Sequence, residues 1–401
     1  MRDLEKMEET SLVMALTGNK SAAYGAMLSR PDVCAAYPIT PQTSLVEHLS
    51  TFIADGLLDA SMMTIEGEHS ALSVLQGAAL AGSRVFTGTS SQGLFFMNEP
   101  YNRQPTLRLP MVMVIVGREQ ISPQTVWGSQ QDSMIVRDAG WIQLYAEDNQ
   151  EILDSIIMGY KVAEKEDVLL PVNVCYDGFY LSLATEKVYV PDQKLVDEFL
   201  PPYESDHIKL DPDNPMSVDP LTPGGILMEY RYKHVQGMKA SKKAWKEVDE
   251  EFGEIFGRNY GGLIELYKME DADIGLITVG SPTGTARVAI DKVREEGINV
   301  GLIKIRVFRP FPREEIIEAA RNLDALGIFD RNVCFGWGTG IGYMETRSAL
   351  KDLSDPPLTL SFIGGLGGSD VLVSDFEKMI KMVSEAARKG EVDREVIWFI
   401  K

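Results

Sequence analysis

Three short segments carry polar groups of the kinds that handle a small anion. Tyr37-Pro38-Ile39-Thr40-Pro41 brackets a threonine hydroxyl with prolines, whose fixed φ holds the turn in one shape. Glu66-Gly67-Glu68-His69-Ser70 sets the Glu68 carboxylate at the mouth of a small-residue helix. A buried carboxyl there has a raised pKa and can share a proton, whereas an exposed one is only a helix-dipole partner. Gly117-Arg118 closes an apolar run, and a planar guanidinium there suits two-point capture of a carboxylate. Each group also has a plain reading: a rigid turn, a helix cap, a surface salt bridge.

These groups would work together only if the elements bring them to one edge. Val33 to Tyr37, Met62 to Ile65, Arg84 to Thr89, Val112 to Val116 and Leu169 to Tyr176 read as short buried strands. Helical patterns at Val46 to Leu58 and Ser70 to Ala81 alternate with them, as in an α/β fold with a mainly parallel sheet. Thr40, Glu68 and Arg118 then each follow the carboxyl end of a strand, where open α/β sheets bind ligands. Residues 186–223 hold seven prolines and show no period, which predicts an ordered crossing segment. Glu229 to Phe256 is a long charged helix pattern. A second α/β unit begins at Asp271, with strands at Ile274 to Val279, Val300 to Arg306, Ala325 to Asp330 and Leu358 to Ile363. The expected divisions are 1–200, 201–265 and 266–401.

Composition narrows the chemistry. The chain has 401 residues and a net charge of −20, which disfavours nucleic acid as a partner. No apolar run is long enough for a membrane span, and the N-terminus does not read as a signal peptide, so a cytoplasmic location is expected. Three scattered cysteines make neither a disulfide framework nor a cluster or zinc site, and the histidines show no ligand spacing, so no metal site is expected in this chain. The Gly336–Gly342 run lacks phosphate-loop spacing and reads as a tight strand-to-helix turn.

Taken in order and spacing, Tyr37–Pro41, Glu68-His69-Ser70-Ala71, Thr87–Gly93 (Thr-Gly-Thr-Ser-Ser-Gln-Gly) and Arg118 resemble the alpha subunit of 2-oxoacid:ferredoxin oxidoreductases, most of all the pyruvate type. Arg137–Gln143, Asp177-Gly178-Phe179, Glu198–Tyr203, Leu210-Asp211-Pro212 and Val307–Pro312 extend the likeness over nearly the whole chain. The resemblance implies an N-terminal domain of the pyrimidine-binding thiamine diphosphate type and a C-terminal domain like that of transketolase, serving mainly assembly. It implies thiamine diphosphate shared with a beta subunit, which would supply Mg2+ and diphosphate binding. Iron–sulfur [4Fe-4S] clusters would sit in the beta and gamma/delta partners, with coenzyme A as co-substrate and ferredoxin as acceptor, in anaerobic metabolism. The absence here of a Gly-Asp-Gly motif and of cluster cysteines agrees with that division.

By the same resemblance Glu68 is the glutamate facing the aminopyrimidine N1′. Thr40 and Arg118 hold the 2-oxoacid, and Tyr37, Pro38, Ser91 and Gln92 line the cofactor cleft. Two stretches depart from the pyruvate-type pattern. Trp127-Gly128-Ser129-Gln130-Gln131-Asp132 replaces an Asn-Asp followed by His or an aromatic, and Gly117-Arg118-Glu119-Gln120-Ile121 replaces an Asn-Arg followed by small apolar residues. Ser129 and Gln130 are therefore expected to tune which side chain fits. Pyruvate is the expected substrate; a branched-chain, aromatic or oxalate-like 2-oxoacid is the alternative, although Thr40 in place of an arginine argues against the oxalate type. A non-catalytic assembly or regulatory paralogue and a transketolase-like transferase are the other readings.

Overall fold

The computed structural model describes residues 3–120, 122–205 and 207–401. Met1 and Arg2 of the N-terminal reading and Ile121 of the Arg118 loop lie outside the described residues, as does Asp206. Two sheets form the frame. The first runs in the order Val307–Arg309, Ile142–Tyr145, Val172–Asp177, Val112–Gly117, Val85–Thr89, Val33–Ala36, Ser61–Thr64. All its pairings are parallel except that of Val307–Arg309 with Ile142–Tyr145. Its inner strands are apolar and buried throughout, as in Val112–Gly117, because helices cover both faces.

Strand order places the ligand edge. From Val33–Ala36 the chain crosses outward to Ser61–Thr64, returns past its start to Val85–Thr89, then continues in that direction to Val112–Gly117. Connections thus leave in opposite directions at the neighbouring carboxyl ends of Val33–Ala36 and Val85–Thr89. That reversal opens a crevice in doubly wound sheets. The turns that follow these two strands carry Thr40 and Ser91.

The second sheet runs Val396–Trp398, Leu358–Ile363, Ala325–Asp330, Ile274–Val279, Val300–Ile305, Ile264–Tyr267, with only the last strand antiparallel. Several expectations need correction. Val300 to Arg306 does not end a strand in one sheet: Val300–Ile305 belongs to the second sheet, and the chain then turns so that Val307–Arg309 joins the first. The proline-rich crossing segment opens with regular structure, the strand Thr185–Pro191 paired with Ser11–Thr17 and the helix Gln193–Phe199. The long helix starts earlier, spanning Gly224–Phe256, and its second half buries Trp245, Val248, Phe252 and Phe256 in the core of the first sheet. The Gly336–Gly342 run does form a turn between strand and helix, closed by a bridge from Cys334 to Thr339 before the helix Ile341–Leu350.

The two sheets share one core. Ala35, Met113, Tyr145 and Phe308 of the first pack in the same cluster as Ile277, Ile303 and Ile328 of the second. Buried charges reinforce the junction. Lys304 lies 2.8 Å from Glu151, and Arg306 donates to the same carboxylate at 2.8 Å. With both cations against it, Glu151 is held below the usual carboxylate range despite burial. Removing one partner of such a pair leaves an uncompensated buried charge, a loss of about 3–5 kcal/mol. Among the described residues no helix is long and apolar enough to cross a membrane.

Candidate active site

The turn after Val33–Ala36 is held from beneath. Asn19, fully buried, donates to the Pro41 carbonyl at 2.7 Å and accepts from the Tyr176 hydroxyl at 2.8 Å. Gln42 donates to the Gly88 carbonyl at 2.9 Å, tying this turn to the neighbouring strand. Tyr37, Pro38 and Thr40 consequently stand exposed on a fixed base. Neither Asn19 nor Gln42 is marked in the sequence, since each lies among small and polar neighbours.

Arg118 is buried to 5% exposure at the end of Val112–Gly117. Its Nε donates to the Thr125 carbonyl at 2.9 Å and its Nη1 to the Thr40 carbonyl at 3.1 Å. The structure thus joins Thr40 and Arg118 through the Thr40 backbone, which sequence could not show. A guanidinium has five N–H donors; two are used here, and the rest meet no acceptor among the described residues. Burial lowers its pKa from the ordinary value, but an arginine so shifted is still charged at neutral pH.

Glu68 is the first residue of the helix Glu68–Leu80 and is 6% exposed. Burial raises its carboxyl pKa, against a lowering hydrogen bond from its own backbone N–H. Among the described residues no side chain donates to it. Gly93 packs against it so closely that a Cβ there would lie 2.4 Å from both Glu68 Oε1 and Thr89 Oγ1. Among the described residues, the buried Thr89 Oγ1, Ser90 Oγ and Gln92 Oε1 meet no hydrogen-bond partner, nor does Glu119 Oε2. Orphaned buried polar atoms are costly in a finished fold, so their gathering at one strand end marks a place where a polar ligand completes the bonding.

Ser91 has φ of +43°, a left-handed conformation rare for a residue with a side chain. Asp132 holds it there. The Asp132 carboxylate accepts from the backbone N–H of Ser91 at 2.9 Å, of Arg118 at 3.0 Å and of Ser133 at 2.7 Å. Complete burial pushes Asp132 up to about 7 in spite of these three donors. Asp132 therefore fastens the Ser91 turn to the Arg118 turn, a role the sequence reading missed.

Ser129 and Gln130 follow Arg118 within one loop, and neither side chain hydrogen-bonds the guanidinium. Ser129 Oγ accepts from the Gln131 N–H at 3.1 Å, and Gln130 Nε2 donates to the Val279 carbonyl at 2.9 Å, across the seam between the sheets. Both side chains are thus used in fastening the loop. The structure brings Thr40 and Arg118 together, sets Glu68 against Gly93, and links Ser91 to Arg118 through Asp132.

Residues 24–250 match the family described as pyruvate flavodoxin/ferredoxin oxidoreductase, thiamine diphosphate-binding, and residues 272–376 match pyruvate:ferredoxin oxidoreductase core domain II. The chain is 45% identical to the alpha subunit of NADH-dependent phenylglyoxylate dehydrogenase from Aromatoleum evansii, covering 96% of this chain and 94% of that one. It is 45% identical to pyruvate synthase subunit PorA of Methanocaldococcus jannaschii, covering 95% and 97%, and 42% identical to ketoisovalerate oxidoreductase subunit VorA of Pyrococcus horikoshii, covering 98% and 99%. In fold it superposes on 2-oxoglutarate:ferredoxin oxidoreductase from Magnetococcus marinus with a TM-score of 0.70 at 20% identity, covering 92% of this chain and 65% of that longer one. The chain belongs to the pyruvate flavodoxin/ferredoxin oxidoreductase family.

Proposed function

We propose that the chain is the alpha subunit of a thiamine-diphosphate-dependent 2-oxoacid:ferredoxin oxidoreductase, working only with beta and ferredoxin-type partners that hold Mg2+ and [4Fe-4S] clusters. The observation that carries this reading is Glu68, a buried carboxylate with a raised pKa and no side-chain donor, standing beside unpartnered Thr89, Ser90 and Gln92 at the sheet's carboxyl edge. These residues fit an aminopyrimidine, which offers a ring nitrogen to a carboxyl group and N–H and nitrogen sites to neutral polar atoms. When bound, thiamine diphosphate supplies a carbon nucleophile that takes up the electrons released as the carboxylate leaves.

What this chain's residues contribute follows from their chemistry. Glu68 holds a proton at the pyrimidine N1′, and its raised pKa makes it a better sharer of that proton than an exposed glutamate. Tyr37, Pro38, Ser91 and Gln92 line the ring. The free donors of Arg118 bind the substrate carboxylate, and the Thr40 hydroxyl, exposed above them, is the donor for charge developing on the 2-oxo oxygen. With coenzyme A the net reaction forms an acyl-CoA and carbon dioxide while ferredoxin is reduced, or the reverse.

Pyruvate is the reading the Thr40 site favours. A bulkier aromatic 2-oxoacid is the second, supported by the 45% identity to a phenylglyoxylate dehydrogenase subunit and by the altered Ser129–Gln130 loop. Those two residues would set specificity through the path of the loop. Anaerobic purification of the chain from its source is expected to bring iron, thiamine diphosphate and coenzyme A-dependent 2-oxoacid oxidation with it. Recovery with a partner that lacks clusters, or with none, would overturn the proposal.

A further inference from the structure

Arg331 comes from the second sheet, just past the end of Ala325–Asp330, and its guanidinium holds the Gly365 carbonyl of its own unit while also reaching Asp177 and the Gly128 carbonyl of the first. Its Nη1 lies 2.6 Å from Asp177 Oδ1, with both side chains 3% exposed. Asp177 ends a strand of the first sheet and also accepts from Ser281 of the second. The Arg331 Nη2 donates to the Gly128 carbonyl at 3.3 Å, and its backbone carbonyl accepts from the Gln130 N–H at 3.0 Å. Two more contacts complete the grip. Gly368 N–H donates to the Gly128 carbonyl at 2.8 Å, and Gln131 exchanges hydrogen bonds of 2.9 and 2.7 Å with the Val333 backbone.

The gripped stretch, Gly128–Gln131, lies between the two residues that aim Arg118. Thr125 takes the Arg118 Nε, and Asp132 takes the Arg118 N–H. There is little slack in it. A Cβ on Gly117 would lie 2.5 Å from the Ser129 carbonyl, and one on Gly128 would lie 2.6 Å from the Gly178 carbonyl. Trp127 packs tilted against Phe179 with ring centres 4.5 Å apart, and Tyr180, its ring 5.6 Å from the Arg331 guanidinium, donates its hydroxyl to the Gly368 carbonyl.

We infer that Arg331 is a positioning residue for substrate binding: the second sheet, through the Arg331–Asp177 pair and the Gly128 carbonyl, sets the aim of Arg118. The C-terminal unit then acts on specificity as well as assembly. This inference rests on Arg118 binding the substrate carboxylate. A lysine at 331 keeps the charge beside Asp177 but loses the fork that spans Asp177, Gly128 and Gly365.

The test uses the assembled complex carrying Arg331→Lys, Arg331→Met, Tyr180→Phe or Arg118→Lys, and the Arg331→Lys/Arg118→Lys pair. Arg331→Lys should raise KM for the 2-oxoacid about tenfold with kcat within about threefold and KM for coenzyme A unchanged. Amide exchange over residues 125–133 should rise in the Arg331 variants and, less, in Tyr180→Phe, which leaves no buried charge unpaired. In the Arg118→Lys background the added KM effect should vanish. An unchanged KM, equal shifts for both substrates, or full additivity in the pair would overturn the inference. If Arg118→Lys alone leaves KM unchanged, the assignment of Arg118 has failed, while amide exchange still reports whether Arg331 holds the loop.

Discussion

Glu68 and Asp330 invite comparison because each is a buried carboxylate at the carboxyl edge of its sheet with a glycine pressed against it. A Cβ on Gly93 would lie 2.4 Å from Glu68 Oε1, and a Cβ on Gly340 would lie 2.0 Å from Asp330 Oδ2. Their bonding differs. Asp330 accepts from the Gly342 N–H at 2.8 Å, the Tyr343 N–H at 3.0 Å and Asn332 Nδ2 at 3.1 Å, so its oxygens are used in starting the helix Ile341–Leu350. Glu68 starts a helix too, but no side chain donates to it and three buried polar atoms nearby are unpartnered. A carboxylate whose bonds all close inside the fold is a fastener. One left with acceptor capacity can serve a ligand, and on our proposal the two sheets, both mainly parallel, are thereby given different work.

The comparison breaks most sharply at Glu68. Glu68→Gln keeps the shape and removes the shared proton, so turnover of the assembled complex should fall by about 100-fold or more, the scale of a lost acid–base group, with assembly intact. Near-normal turnover would return Glu68 to the rank of helix-dipole partner. Arg118→Lys should cost about 1.5–3 kcal/mol of transition-state binding, roughly 10- to 150-fold in kcat/KM, because an ammonium cannot reproduce the fork. An unaltered kcat/KM would remove Arg118 from substrate binding.

At Asp330 the expected loss is in stability. Asp330→Asn puts an amide N–H where a backbone N–H must be accepted, at about 1–3 kcal/mol, with activity kept in the folded fraction. A pH signature should accompany it. Burial pushes Asp330 up to about 6 from 3.8, so the neutral form is favoured by folding. The stability this contributes is full below about pH 4 and lost as pH rises through about 6, so the pH slope between those values should flatten in the variant, as followed by chemical denaturation. An unchanged slope would contradict the assignment. The smallest effect is at Ser129 and Gln130: restoring Asp and His should shift the ranking of pyruvate against bulkier 2-oxoacids a few-fold, with the best rate less affected. An unchanged ranking would show that this loop does not set specificity.

Much of the fold was legible because buried parallel strands such as Val112–Gly117 are continuous apolar runs. The helix Asn149–Ala163 was harder to see, since nearly all of it is buried and its polar residues Glu151 and Asp154 face Arg306 and Arg258, far away in sequence, instead of solvent. The switch of Val307–Arg309 to the first sheet was illegible for another reason: Arg306 reads as a polar strand end until Glu151, far away in sequence, is found against it. In the site, residue types announced Thr40, Glu68 and Arg118. The links between them run through backbone groups, the Thr40 carbonyl and the Ser91 and Arg118 N–H on Asp132, and backbone groups carry no sequence signal.

The central claim is that Glu68 is kept open for a proton that the cofactor needs, whereas Asp330 is closed. Loss of the thiazolium C2 proton from thiamine diphosphate bound in the assembled complex, followed by quenched hydrogen–deuterium exchange, measures this directly. The account predicts that C2 exchange slows by about 100-fold or more in Glu68→Gln with the cofactor still bound, and stays at the wild-type rate in Asp330→Asn. Wild-type exchange in Glu68→Gln, or equal slowing in both variants, would contradict it.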